Sequence, residues 1–203
     1  MMDIRQTDAL IVIDVQNDFC AGGALAVPDG DAVVRPILEL QSKFNTVVYT
    51  QDWHPSDHSS FASQYEGKNP LETIELPYGT QVLWPDHCVS GGHGAEFHKD
   101  LDVNAAQMII RKGFRSAIDS YSAFFENDQV TPTGLEGYLK SRNIDRVFLC
   151  GLATDFCVYY SAIDAVKSGF QAVLISDACR GIDLGGSLSA ALEDMKAKGV
   201  EIK

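Results

Sequence analysis

The stretch RVFLCGLATDFCVYYSAIDAVKSGFQAVLISDA (146–178) decides the fold. Its opening RVFLCG (146–151) is a short, β-branched and apolar run, the pattern of a strand buried on both faces. Asp155 to Ser168 then reads as a helix, with Gly169 as its stop, and QAVLISDA (171–178) is a second buried strand. Strand, helix and strand in this order make a right-handed crossover between parallel strands, which places helices over the sheet. The same signals recur outward from this unit. ALIVID (9–14), NTVVYTQD (45–52) and QMIIRK (107–112) read as further doubly buried strands, and VEIK (200–203) as a short last one. Helical patterns cover 31–44, 133–143 and 186–198, the last stopped by Gly199. The expected fold is a three-layer α/β/α domain with a central, mainly parallel, Rossmann-like sheet of about six strands spanning 1–203.

Composition supports one domain, since 203 residues with 45% hydrophobic content suffice for a single core and no linker interrupts them. A net charge of −12, with no basic patch, argues against nucleic acid as a partner. No apolar run is long enough to cross a bilayer, and MMDIRQTDAL lacks the layout of a signal peptide, so a cytoplasmic protein is expected. Cysteines at 20, 88, 150, 157 and 179 are odd in number and form no CxxC pair, which suggests free thiols. Composition leaves a homo-oligomer open, because an exposed strand edge or helix face would be enough to drive self-association.

In a parallel α/β sheet, ligands bind beyond the carboxyl ends of the strands. Polar residues fall there: Asp14 ends the first strand, Asp52 and His54 follow the second, Lys112 ends the third, and Cys157 follows the fourth. Cys157 sits in the first turn of a helix, with Thr154 as the candidate cap; helix N–H groups there would lower the thiol pKa, although free cysteines also serve as small core residues. Asp14, desolvated behind LIVI, suits a proton acceptor, or else merely accepts backbone hydrogen bonds. Lys112 would hold Asp14 ionised or steady a thiolate, or face water as most strand-end lysines do. A base, a cation and a thiol at one edge make an arrangement for attack on a carbonyl carbon.

The segment between Trp53 and Ala106 is too long for an ordinary connection and is rich in His, Pro, Gly and aromatics, so it is expected to build a functional surface. Asp52 and His54 share one side through their i, i+2 spacing, and LWPDHCVSGG adds His87. One carboxylate and two imidazoles suit a divalent ion with open positions, zinc, iron or manganese; surface histidines are the alternative. His58 is a further candidate as ligand or support. Phe19, Trp84 and Tyr121 could wall a pocket for a flat ring or belong to the core. The glycine pairs in CAGGAL and DLGGSL fit neither a P-loop nor a dinucleotide fingerprint.

Taken together, LIVIDVQNDFCAGGALAVPDGD, VVYTQDWHPSDHSSFAS, LWPDHCVSG, RKGFRSAIDSYSAF and VFLCGLATDFCV resemble, in collinear order over about residues 8–180, the segments of the isochorismatase-like cysteine hydrolase family, in its nicotinamidase branch. The DxH segment with a distant histidine distinguishes that branch. The resemblance implies a catalytic triad of Asp14, Lys112 and Cys157, metal ligands Asp52, His54 and His87, and a pocket walled by Phe19, Trp84 and Tyr121. His58 and Ser60 are possible further members of the metal shell. It also implies a cis peptide between Leu152 and Ala153, with the backbone N–H groups of Ala153 and Cys157 as oxyanion donors. The implied cofactor is one divalent ion, zinc first, then iron or manganese. Nicotinamide and pyrazinamide are the implied substrates, and the implied role is salvage toward NAD. The alternatives are a sibling hydrolase acting on isochorismate or an N-carbamoyl amide, and a non-catalytic binding module on the same fold.

Overall fold

The computed structural model describes residues 3–203. Its central sheet holds six strands, all paired in parallel: β1 (Asp8–Ile13), β2 (Thr46–Asp52), β5 (Met108–Lys112), β6 (Arg146–Leu152), β7 (Gln171–Arg180) and β8 (Glu201–Ile202). A small antiparallel hairpin, β3 (Thr73–Leu76) and β4 (Gly79–Val82), stands apart within the long segment after β2. The helices are α1 (Val34–Gln41), α2 (Leu135–Ser141), α3 (Tyr159–Lys167) and α4 (Ser187–Ala197).

Strand order explains where a site must lie. The sheet runs β5-β2-β1-β6-β7-β8, so the chain builds outward from β1 in one direction and then restarts at β6 in the other. That reversal leaves a crevice beyond the carboxyl ends of β1 and β6, because their following connections part to opposite sides. Every residue of β1 and β2 is buried, as is β6 beyond its first residue, which accounts for their unbroken apolar runs.

Four expectations need correction. Strand β5 is not buried on both faces: Ile109 and Arg111 are exposed while Ile110 and Lys112 are buried, as befits a sheet edge covered on one side. The 31–44 helix is a 3-10 turn (Gly30–Val33) followed by α1, because Pro36 can stand only in a first helical turn, where its missing N–H is not needed. The helix after β6 begins as a π turn (Thr154–Val158), in which the Ala153 carbonyl accepts from Phe156 and Val158 N–H, each at 3.1 Å. Ala153, not Thr154, therefore occupies the cap position, and no side chain caps this turn. Gly169 and Gly199 end their helices as expected, both at φ +90°. The peptide between Leu152 and Ala153 is cis. All five cysteines are buried and unpaired. Among the described residues no helix is long and apolar enough to cross a membrane.

Candidate active site

Asp14 stands immediately after β1 with φ +46°, so the chain turns as it leaves the sheet and aims the carboxylate into the crevice. Thr50 of β2 fixes it from the next strand: its hydroxyl donates to Asp14 Oδ1 at 2.6 Å and accepts the Asp14 N–H at 3.1 Å. Lys112 lies two strands away, at the end of β5, and its long side chain bridges that gap. Its ammonium meets Asp14 Oδ2 at 2.8 Å, Asp52 Oδ1, the Ser120 carbonyl at 2.9 Å and Cys157 Sγ at 3.4 Å. Asp14 Oδ2 makes a charge contact there without hydrogen-bond alignment, so one lone pair of that oxygen stays open. A carboxylate oxygen of Asp14, one of Asp52 and Cys157 Sγ all lie within 4.8 Å of one another.

Asp52 joins this group to a second one. Its Oδ2 stands 3.6 Å from His54 Nε2 and 3.9 Å from His87 Nε2. The Nδ1 atoms of those rings donate to the Gly113 and Pro85 carbonyls, each at 2.8 Å, so the Nε2 atoms are the ones that face Asp52 and would present their lone pairs to a bound ion. An N, N, O set converging on one point, with its outer contacts satisfied, fits a divalent ion of the zinc, iron or manganese kind.

Next to both groups opens a narrow pocket. Phe19, Trp84 and Tyr121 all line it, as do Cys157, Ala153, Asp52 and His87. Trp84 is held upright by its Nε1–H donating to the Tyr121 hydroxyl at 3.0 Å and by an edge contact with Phe156, ring centres 4.9 Å apart.

The isochorismatase domain family matches residues 8–202. A nicotinamidase of Acinetobacter baylyi is 55% identical over 99% of this chain and 96% of its own. A solved nicotinamidase/pyrazinamidase of Acinetobacter baumannii superposes with a TM-score of 0.97 at 57% identity, covering 98% of this chain and 97% of its own. A pyrazinamidase of Pyrococcus horikoshii, solved in complex with zinc, superposes with a TM-score of 0.78 at 37% identity, covering 97% and 98%. The chain belongs to the isochorismatase family.

Within this isochorismatase-family protein, burial governs the electrostatics. It pushes Asp14 up to about 6, because desolvation and the nearby Asp52 charge outweigh the pull of Lys112 and the Thr50 hydrogen bond. For Asp52 the balance reverses: burial opposes ionisation, but Lys112 and His54 hold the carboxyl well below the usual range. Cys157 corrects an expectation. Desolvation raises its thiol well above the ordinary value despite Lys112, so it is a neutral thiol beside a base, not a standing thiolate.

His58 and Ser60 fall beside the Asp52, His54 and His87 set. His58 groups with His54 and Asp119, its Nδ1 2.7 Å from Ser60 Oγ and its Nε2 3.3 Å from the Ile118 carbonyl. Both ring nitrogens of His58 are thus engaged, and that ring packs on His54 at 4.3 Å between ring centres. The sequence reading missed Leu25, Asp119, Phe156 and Ile182, which also line the pocket. Phe156 adjoins Cys157 and Ile182 follows β7, so both could have been found by extending the strand-end rule to apolar residues. Leu25 and Asp119 carry no such signal.

Proposed function

We propose that this protein hydrolyses nicotinamide to nicotinate and ammonia through a thioester on Cys157, and accepts pyrazinamide in the same pocket. The observation that carries the reading is the Lys112 ammonium, which joins Asp14, Asp52 and Cys157 Sγ beside an aromatic pocket that Asp52, His87 and Cys157 also line. The full-length likeness to nicotinamidases supports the substrate.

Asp52, His54 and His87 would hold a divalent ion, zinc by likeness to the Pyrococcus protein, which would supply a Lewis-acid grip on the pyridine nitrogen. Trp84, Phe19 and Tyr121 clamp the flat ring so that its carboxamide faces Cys157. The open lone pair of Asp14 takes the thiol proton as sulfur attacks the amide carbon; the C–S bond forms while the carbonyl π pair moves to oxygen. The N–H groups of Ala153 and Cys157 meet that oxyanion, and one such donor contributes about 3 kcal/mol. Asp14 returns its proton to the amide nitrogen as the C–N bond breaks and ammonia leaves. Water then gives a proton to Asp14 and attacks the thioester, the C–S bond breaks, and Asp14 restores the thiol. Lys112 stays charged throughout, so the thiol deprotonates beside a fixed cation. Consumption of nicotinamide in this way serves NAD salvage, and five buried free thiols suit a reducing, cytoplasmic setting.

Ammonia release from nicotinamide by zinc-loaded protein tests the reading, with Cys157→Ala as control. Release should vanish in the variant while ring binding remains. No release from the wild-type protein would move the activity to a sibling hydrolase.

A further inference from the structure

Between the end of β7 at Arg180 and the start of α4 at Ser187 the chain makes a tight loop, with Asp183, Gly185 and Gly186 at φ +58°, +59° and +92°. Its backbone donors converge on a single carboxylate, Asp155. The Ile182 N–H donates to Oδ1 at 2.9 Å, the Asp183 N–H to Oδ2 at 2.8 Å, and the Ser187 hydroxyl also to Oδ2. Ser187 Oγ in turn accepts the Leu184 N–H at 2.8 Å. Successive N–H groups closing on one anion form a nest, and here the anion is a buried side chain of the protein itself. Gly181 permits the approach, since a Cβ there would stand 3.1 Å from Asp155 Oδ1 and 2.8 Å from Leu188 Cδ1.

The two ends of this tether matter for chemistry. Asp155 lies in the same π turn as Cys157, and Ile182, whose N–H it holds, lines the pocket together with Cys157. We infer that Asp155 is a positioning residue: through these hydrogen bonds it fixes the Ile182 wall relative to the nucleophile and so restricts the pocket to flat heteroaromatic amides without a ring substituent on that side. The inference rests on the amidase reading above.

Asp155→Asn keeps the volume but turns an NH₂ toward either the Ile182 or the Asp183 N–H, which can only donate, so at least one hydrogen bond is lost. Ile182 lines the pocket away from the bonds that change, so a ring seated there would meet it in the ground state and transition state alike, and KM for nicotinamide should rise about tenfold with kcat within about threefold of wild type. The preference for nicotinamide over a ring-methylated nicotinamide should fall by about fivefold or more. In an Ile182→Ala background the same substitution should change KM by less than about twofold, because the wall it positions is gone. Hydrogen exchange at the Ile182 and Asp183 amides should quicken about tenfold or more in Asp155→Asn. Should that variant fail to fold, Ser187→Ala removes one of the three bonds and should raise KM about threefold with the same dependence on Ile182.

An equal KM increase with and without Ile182, or a loss of kcat at unchanged KM, overturns the inference. Wild-type protein that releases ammonia from neither nicotinamide nor pyrazinamide overturns the amidase reading instead. The exchange measurement then decides the tether by itself, and unchanged exchange in Asp155→Asn overturns it.

Discussion

Cys157, Asp14 and Lys112 show how burial, opposed by one buried ammonium, sets the protonation of a catalytic cluster. Asp14 acts as a base only when ionised, so kcat/KM should fall about tenfold per pH unit below a limb at about 6, the value to which burial and the Asp52 charge raise it. The Thr50 hydroxyl donates to Asp14 and favours the ionised form. Thr50→Val should therefore move that limb to higher pH, measured as a pH profile of kcat/KM; a limb that stays in place would give the titration to another group. Lys112 is fully buried between two carboxylates, and removing it leaves Asp14 without a counter-charge and Asp52 with His54 in its place. Lys112→Met should abolish turnover and lower stability by about 3–5 kcal/mol in urea denaturation at neutral pH. Unchanged stability would mean that desolvation of the ammonium cancels its attraction to the two acids.

Loops, more than strands, decide whether the polar residues at the sheet edge converge. Gly113 follows β5 at φ +64°, and its carbonyl holds His54 Nδ1. A Cβ at Gly113 would overlap the His54 ring, so Gly113→Ala must displace an imidazole of the N, N, O set. Competition with a chelator should show zinc affinity reduced about 10–100-fold, while far-UV circular dichroism stays as in wild type. Unaltered affinity would show that His54 is not a ligand. This loop also marks the limit of legibility. Strands β1, β2 and β6 could be read from the sequence because a doubly buried strand must be an unbroken apolar run, and their ends then located Asp14, Asp52 and Cys157; Lys112 was located at the end of β5 although that strand is buried on one face alone. Tyr121 was found as an aromatic, but its neighbour Asp119 was not. Asp119 is held at the pocket by hydrogen bonds from Gln81 Nε2 of β4 and from the Ser120 N–H, each at 2.8 Å, which obey no period. The direction of the Cys157 shift was misread for a related reason: a turn position is visible in sequence, but the degree of desolvation depends on what packs over it.

At the scale of the molecule, the reversal of strand order between β1 and β6 brings together residues that the unfolded chain keeps far apart. Asp52 and His54 come from the end of β2, whereas His87 arrives from beyond the β3-β4 hairpin. The loop bearing His87 is held by Asp18, whose Oδ2 accepts the Cys88 N–H at 2.7 Å. Only the folded chain assembles this donor set, so a divalent ion that binds it must stabilise the fold by linkage. At free zinc about 100 times Kd the gain is about 2.7 kcal/mol. For a chain of this length each kcal/mol moves Tm by about 2–4 °C, so zinc should raise Tm by about 5–10 °C over chelator-treated protein. The acidic surplus of the chain, net −12, adds a general attraction for cations, and His87→Ala separates the two effects. That variant keeps the overall charge at neutral pH, because burial and the nearby His54 charge already press His87 down to about 4. It should lose most of the zinc-dependent shift in differential scanning calorimetry, whereas a shift as large as that of wild type would assign the stabilisation to ions elsewhere on the surface.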